Sequence, residues 1–446
     1  MEKRTSFSSK FGMLAAAVGS AVGLGNIWKF PYEAGANGGG AFLVVYLICV
    51  LVLGFPALIT ELSIGRMAKT NSLDACGKVS GRKGWNFIGY MGVFSAFMVM
   101  CFYFVVAGWS LEYICQTFAS STFRDMDASS LETLFNTFAY SSRRPYLWLI
   151  LFIIATAIIV QLGVQKGIEK GSKILMPMLF LIIVILAIYV IFLPNNTEGY
   201  QFYLNFDISK ITPSVILSAL GQSFFSLSLG LGTILIYGSY MNQGNVVGTS
   251  LQIALLDTLI AVFAGFVIFP AVFAYGIAPT EGPSLAFIAL PAVFAQMPGG
   301  TFVSLMFFSL LTIGALTSTI SLLEVLTASF ADKFHISRQR SNIIATMLVI
   351  IGSCLCCYSL TDGSLFNFCG KPLFSWFEDI TSDYLLPLGG MFMAIMLGWA
   401  VSKEKLRIAM TDFGMKPWFF SIYLVLVRFV TPTAILLIML RQSGIL

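Results

Sequence analysis

Histidine occurs once in this chain of 446 residues, and Asp, Glu, Lys and Arg together make up only 11% of it. The one imidazole, His335, lies in a basic loop, so neither histidine acid–base catalysis nor a histidine metal site has its parts. No Gly-x-x-x-x-Gly-Lys-Ser/Thr is present to cradle a nucleotide phosphate, and no Gly-x-Ser-x-Gly stands on a strand-to-helix turn. Gly23-Leu24-Gly25 opens like a dinucleotide fingerprint, but the third glycine and the preceding strand are missing. The eight cysteines lack metal-ligand spacing, and Cys49, Cys101, Cys354, Cys356 and Cys357 fall inside apolar stretches, where they read as small packing residues. Only Cys115 and Cys369 approach the outer face. An enzyme and an organic cofactor are therefore not expected.

What the chain has is apolar length. Hydrophobic residues reach 57% and mean hydropathy is +0.87, values of a polytopic membrane protein. At about 20 residues per crossing, eleven spans are predicted: 11–35, 41–67, 87–116, 145–163, 171–193, 213–240, 248–276, 301–330, 341–358, 376–400 and 418–440. They form one all-α integral-membrane domain, 1–446. The first span follows Lys3, Arg4 and Lys10 as a signal peptide would, but it has no small-residue cleavage site and is expected to be retained. The net charge of +5 needs no nucleic-acid partner. With the N-terminus in the cytoplasm, eighteen of the 26 Lys and Arg fall on that side, as the positive-inside rule requires. An odd number of crossings then puts the C-terminus outside a cell inner (plasma) membrane.

Two spans carry glycines that an intact helix would not choose. The first contains Gly19-Ser20-Ala21-Val22-Gly23-Leu24-Gly25-Asn26, and the sixth contains Ser226-Leu227-Ser228-Leu229-Gly230-Leu231-Gly232. Glycine costs roughly 1 kcal/mol in a helix interior relative to alanine, and an unwound turn at membrane depth frees carbonyls that lipid cannot satisfy. Freed carbonyls suit a desolvated cation, while the amide end of the resumed half-helix suits an anionic group. One broken helix can thus hold both a metal ion and a carboxylate. Close packing of neighbouring helices is the alternative use of such glycines, but two matched interruptions point to a transporter site at the bilayer midplane.

Other polar residues interrupt the spans. Glu61 in span two either carries function or ties down freed amides of a broken helix. Asp257 lies in an apolar stretch of span seven, and Thr317-Ser318-Thr319 in span eight cannot all face one way, so at least one hydroxyl faces the bundle interior. Gly167 and Pro177 bracket the start of span five, where either an unwound inner end or an ordinary kink is possible. Residues 117–144 and 194–212 read as polar outer stretches, and 370–384 as an acidic approach to span ten.

The run Ala21-Val22-Gly23-Leu24-Gly25-Asn26-Ile27-Trp28-Lys29-Phe30-Pro31-Tyr32 resembles the signature of the neurotransmitter:sodium symporter family. The match continues through Asn37-Gly38-Gly39-Gly40-Ala41-Phe42, Glu61-Leu62-Ser63-Ile64-Gly65-Arg66, residues 221–230 and Leu316-Thr317-Ser318. The resemblance implies an inverted five-plus-five helix core, with repeats at about 11–193 and 213–400, discontinuous first and sixth helices, and an extra helix at about 418–440. It implies a substrate site formed by Ser20, Ala21, Leu24, Gly25, Val99, Tyr103, Phe225, Ser226, Ser228, Leu231, Ser318 and Leu322. In that set Tyr103 would hydrogen-bond the substrate carboxylate and Phe225 would be the aromatic lid. Two sodium sites are implied. The first takes the Ala21 carbonyl, Asn26, Ser226, Asp257 and the substrate carboxylate. The second takes carbonyls of Gly19, Val22 and Gly314 with the hydroxyls of Thr317 and Ser318. Both are all-oxygen sets of the kind a hard cation requires.

The family's usual outer-gate arginine is Lys29 here, a point charge without the guanidinium fork, facing Glu378 or Asp379. Arg4, Phe7, Ser239, Tyr240 and Asp332 match the inner-gate positions, with Phe7 in place of the usual tryptophan. Asp257 matches a position where chloride-dependent relatives carry asparagine, beside Tyr46, Gln222 and Ser226, so its carboxylate would substitute for chloride and could carry a proton on the return step. The implied activity is sodium-coupled uptake of a neutral hydrophobic amino acid by alternating access, without chloride. A channel or a transport-dead amino-acid sensor on the same fold is the alternative; outside the two breaks the spans are apolar, which a continuous polar pore would not be.

Overall fold

The structure, a computed structural model, describes residues 6–118, 128–140, 143–241, 244–276, 286–361, 364–410 and 417–442. Arg4, expected at the inner gate, lies outside the described residues. Apart from a two-stranded hairpin pairing Asn367–Phe368 with Lys371–Pro372, the described residues form helices, turns and loops. Among the described residues nine helices are long and apolar enough to cross a membrane, and a tenth crossing is a pair, Lys10–Ala21 and Gly25–Ala36, bent by 45°. These are span one (the bent pair) and spans two (Gly40–Ala68), three (Lys83–Phe118), four (Arg144–Gln161), five (Val164–Ile191), seven (Val246–Ala274), eight (Gly300–Phe334), nine (Arg338–Ser359), ten (Leu373–Ala400) and eleven (Trp418–Leu440). The predicted sixth span is present as two shorter pieces, Pro213–Ser226 and Thr233–Ser239, neither of which is long enough to cross by itself.

Local chemistry sets the helix ends. Ser9 accepts from the Gly12 amide at 3.0 Å to start span one, Thr212 leads into Pro213 with its hydroxyl on the Val215 amide, and Asn245 and Ser337 cap spans seven and nine. The outer stretch 194–212 is less irregular than its composition suggests, since Thr197–Leu204 is helical and packs on span seven. Span ten starts at Leu373, three residues earlier than predicted, so Glu378 stands on a helix rather than in an approach loop. Span five stays wound from Val164 to Ile191, with Pro177 inside it and a π-helical turn at Val164–Glu169. The inner end is not unwound in this conformation.

Spans one, three, six and eight are the buried centre, with span three packed along span eight and the first half of span one on spans five and eight. Span seven closes on the second half of span one, and the second half of span six lies along span two. Leu151 and Ile158 of span four, Leu181 and Ile188 of span five, and Ile422 and Phe429 of span eleven point outward, as side chains facing lipid do.

Candidate functional site

The two breaks meet, and they are made differently. In the sixth span the chain turns through three left-handed positions, Ser228 at φ 53°, Gly230 at 77° and Gly232 at 76°, and two of these are glycine because only glycine takes that conformation without strain. In the first span the break is one extended residue, Val22 at φ −70° and ψ 118°. Gly23 is there for closeness: a Cβ would stand 2.3 Å from Ser318 Oγ and 2.4 Å from Tyr103 OH. Glu61 accepts from the Gly230 amide at 2.6 Å, so the span-two carboxylate ties down the sixth-span break.

Asn26, one residue into the resumed half-helix, joins the breaks to span seven. Its amide nitrogen donates to Ser226 Oγ at 2.9 Å, to Asp257 Oδ1 at 2.8 Å and to the Asp257 carbonyl at 3.0 Å. Ser226 Oγ in turn donates to Asp257 Oδ2 at 2.6 Å and accepts from Tyr46 OH at 3.3 Å. Asn26, Ser226 and Asp257 are all fully buried. Three oxygens therefore converge on one small volume, and that volume contains a carboxylate. Gln222 spends its amide nitrogen on the Gly25 carbonyl at 2.7 Å, and its own oxygen has no partner among the described residues.

A second oxygen cluster lies on the other side of the first break. The Ser20 carbonyl accepts from Ser228 Oγ at 2.8 Å and from Ser318 Oγ at 3.3 Å. The Val22 carbonyl accepts from Ser318 Oγ at 3.3 Å and faces Thr317 Oγ1 at 3.5 Å, while Thr317 also donates to the Gly314 carbonyl at 3.0 Å. Of the three consecutive hydroxyls, Thr317 and Ser318 face the break. Thr319 turns away to Thr156 of span four at 3.0 Å. The second cluster is oxygen-only, whereas the first has the Asn26 nitrogen among its oxygens, Asn26 Oδ1 accepting instead from the Gly23 amide at 3.0 Å; the described residues hold no group of three His, Cys, Asp or Glu side chains that could bind a softer metal.

Between the clusters the Leu24 amide donates to Tyr103 OH at 2.8 Å, an arrangement into which a carboxylate can insert by taking both protons. Val99, Tyr103, Phe225, Leu231 and Leu322 are all buried, and none carries a charge. Phe225 stacks on Phe102 with ring centres 6.4 Å apart, and Lys29 Nζ lies 4.9 Å from the Phe225 ring centre. Lys29 pairs with Glu378 Oε1 at 3.0 Å and Ser382 Oγ at 3.0 Å, and Tyr32 OH donates to the same Glu378 oxygen at 2.8 Å. Asp379, the other acid considered for Lys29, pairs with Lys371 at 3.0 Å.

A profile of the sodium:neurotransmitter symporter family matches residues 4–129 and 141–444. The chain belongs to the sodium:neurotransmitter symporter family. It is 36% identical over 450 residues to a sodium-dependent transporter of Bacillus subtilis (strain 168), YhdH, covering 100% of this chain and 99% of that one. It is 27% identical over 488 residues to the sodium- and chloride-dependent creatine transporter 1 of Mus musculus, covering 93% of this chain and 74% of that protein. Among solved structures, MhsT in complex with L-phenylalanine superimposes with a TM-score of 0.92 at 38% identity, covering 98% of this chain and 99% of that one. The protein is thus a sodium-dependent, multi-pass membrane transporter and not an enzyme.

At the end of the bundle where Phe7 lies, a network joins residues that sequence reasoning found only in part. Phe7 packs edge-on against Tyr237 and Tyr240, with ring centres at 5.7 and 6.0 Å. Tyr240 OH donates to Glu324 at 2.6 Å, and Arg338 binds the same carboxylate through both terminal nitrogens, at 3.0 and 2.5 Å. Ser239 instead bonds back to the Ile236 carbonyl at 2.6 Å. Neither Glu324 nor Arg338 was singled out from the sequence, although a carboxylate within an apolar span is a signal in its own right. The same signal marks Glu169, which accepts from the Ser8 amide at 2.7 Å, Ser8 Oγ at 2.6 Å, Ser9 Oγ at 2.9 Å and Lys173 at 2.7 Å, fixing the start of span one to span five. Ser321 was missed as well; it accepts from Ser20 Oγ at 2.8 Å.

Proposed function

We propose that the protein couples inward sodium flux to uptake of a neutral, hydrophobic amino acid, large aliphatic or aromatic, and that it does so without chloride. The observation that carries this reading is the placement of two oxygen clusters on either side of one amide, Leu24 N–H, beside the Tyr103 hydroxyl. An amino-acid carboxylate bound there lies next to the Asn26–Ser226–Asp257 cluster, so a cation in that cluster is shared between protein and substrate, which is the physical basis of coupling. Thr317 and Ser318 with the Val22 and Gly314 carbonyls suit a second cation. The uncharged wall of Val99, Phe225, Leu231 and Leu322 favours an apolar side chain, because a charged one would lose its hydration without a partner.

Asp257 supports independence from chloride. Two sodium ions and a zwitterion bring a net charge of +2 into a low-dielectric site, and one fixed carboxylate offsets part of it. The bacterial relative is named a sodium-dependent transporter, whereas the mouse relative is named sodium- and chloride-dependent. Phe225 under the Lys29–Glu378 pair would close the outer side, and the Phe7–Tyr240–Glu324–Arg338 network the inner side, so that breaking one while holding the other gives alternating access. The uneven distribution of Lys and Arg, eighteen of 26 on the side of the N-terminus, favours an N-terminus in the cytoplasm, and the whole chain reads as one domain of two inverted repeats with an additional eleventh span.

The test is uptake into proteoliposomes over a panel of amino acids. Leucine, phenylalanine or tryptophan should accumulate above the external concentration under an inward sodium gradient and not under a potassium gradient. Competition by lysine or glutamate as strong as that by leucine would refute the substrate class. Flux that only runs downhill and ignores the sodium gradient would favour a channel.

A further inference from the structure

Arg428 sits inside span eleven, and no carboxylate among the described residues pairs with it. Its Nε donates to the Gly398 carbonyl of span ten at 2.6 Å, and its guanidinium lies 5.2 Å from the Trp399 ring centre. Gly398 is in the last turn of span ten, where carbonyls lack intrahelical partners, so this one bond is an ordinary helix cap. The cap occupies Nε alone. The two terminal nitrogens have no hydrogen-bond or ion-pair partner among the described residues.

The place is built. Span ten carries a π-helical turn at Met396–Ala400 and span eleven another at Leu426–Val430, and the two turns are packed on each other. Gly398 leaves the room that the arginine stem fills, since a Cβ there would stand 2.8 Å from Arg428 Cγ. Trp399, 60% exposed, and Phe429, 54% exposed, meet edge-on at 5.5 Å and frame the guanidinium on the outward face. Gly398 lies two residues, roughly 3 Å, before the end of its span at Ala400. Beyond that end follow exposed Lys403, Lys405 and Arg407. Arg428 is well inside span eleven, Trp418–Leu440, but its bond to Gly398 sets it at the level of the last turn of span ten, from which its terminal nitrogens reach the headgroup layer by snorkelling, and an interfacial tryptophan marks the same level.

We propose that Arg428, framed by Trp399, binds the phosphate of an anionic phospholipid in the leaflet at the face where span ten ends. The planar fork left free by the Nε cap matches two phosphate oxygens. The apolar sides of Trp399 and Phe429 take the start of an acyl chain, and Lys403 and Arg407 bias the surrounding headgroup layer toward negative charge. The site is separate from the transport path, since it lies on the lipid-facing side of spans ten and eleven.

The experiment is native mass spectrometry of the full chain released from nanodiscs containing equal mole fractions of phosphatidylglycerol and phosphatidylcholine. The wild type should retain one phosphatidylglycerol that Arg428→Gln loses by about fivefold, the effect of one basic group at a membrane surface. Because Arg428→Gln also disturbs the span-ten cap, Trp399→Leu, which leaves the Nε bond in place, should weaken retention in the same direction. Equal retention of the two lipids by the wild type, or unchanged retention in both variants, overturns the proposal. Displacement of the lipid by millimolar inorganic phosphate overturns the lipid assignment in favour of a free anion. A wild-type dimer that dissociates on Arg428→Gln instead assigns the fork to a second copy of the chain.

Discussion

Replacing Asp257 with asparagine removes one buried negative charge while keeping nearly the same shape. Asp257 Oδ1 accepts from Asn26 at 2.8 Å and Oδ2 from Ser226 at 2.6 Å, and a terminal amide can retain the first contact directly and the second by a turn of the Ser226 hydroxyl. What is lost is the attraction for a cation in the cluster. Two unit charges 4 Å apart interact by about 4 kcal/mol at an effective dielectric constant of about 20. Part of that is returned, because the carboxylate no longer has to be held out of water and the amide oxygen still serves as a ligand. A net loss of about 2 kcal/mol corresponds to a roughly 30-fold higher sodium concentration for half-maximal uptake. The assay is sodium activation of amino-acid uptake in proteoliposomes, in chloride and in gluconate media. In gluconate Asp257→Asn should show the full shift. In chloride the shift should shrink if the anion can enter beside the hydroxyl donors of Tyr46 and Ser226 and the Gln222 amide nitrogen, released from the Gly25 carbonyl. Any stimulation of the wild type by an acidic lumen should vanish in the variant. A variant that keeps wild-type sodium activation in gluconate refutes the reasoning.

Thr317→Val with Ser318→Ala removes two hydroxyls that face the first break, so uptake should become weakly sodium-dependent or stop, as read by sodium-stimulated flux; unchanged activation would make this turn structural. Lys29→Ala leaves Glu378 buried without its cation, and removing one partner of a buried pair costs about 3–5 kcal/mol; a cysteine introduced at Leu231 should then react faster with an impermeant thiol reagent added from outside, and an unchanged rate would show that the pair does not hold the lid. Gly23→Ala places a methyl 2.3 Å from Ser318 Oγ and 2.4 Å from Tyr103 OH, so radiolabelled substrate binding should be lost, with overpacking of about 1–3 kcal/mol lowering thermal stability; binding that survives would mean that the approach of span eight to the break is not required.

The fold class was legible because a membrane removes most alternatives: eleven apolar runs of about 20 residues can only be helices. The breaks were legible for the same reason, since Gly23, Gly25, Gly230 and Gly232 are costly where they stand unless something uses them. What the residues alone could not separate was why each glycine is there. A positive φ at Gly230 and a crowded contact at Gly23 look identical in a sequence, and they differ only once Ser318 and Tyr103 are brought alongside. Partner choice was likewise out of reach. Glu378 and Asp379 are neighbours on one helix, and about 100° of rotation per residue sends one inward to Lys29 and the other outward to Lys371. Glu169 was overlooked because it lies near the start of span five, where a charge is cheap, whereas Glu324 stands well inside span eight; both are buried and bonded.

A symporter has a requirement beyond binding, namely that it must also reorient empty, and the choice of hydroxyls over carboxylates in these clusters bears on that step. A site of several carboxylates would hold cations more strongly, but without them the like charges would repel and could not be left buried. Serine and threonine can donate as well as accept. In the arrangement described, Ser228 and Ser318 donate to the Ser20 carbonyl, Thr317 donates to the Gly314 carbonyl, and Ser226 donates to Asp257. When a cation enters, the same hydroxyls can rotate their protons away and offer lone pairs. The exchange gives up hydrogen bonds worth about 1 kcal/mol each, which keeps cation affinity moderate, and it leaves both broken helices satisfied whether or not ions are bound. On this reading Asp257 is the one carboxylate because a single negative charge can be held by Asn26 and Ser226 alone, whereas a second would have no donors left to hold it.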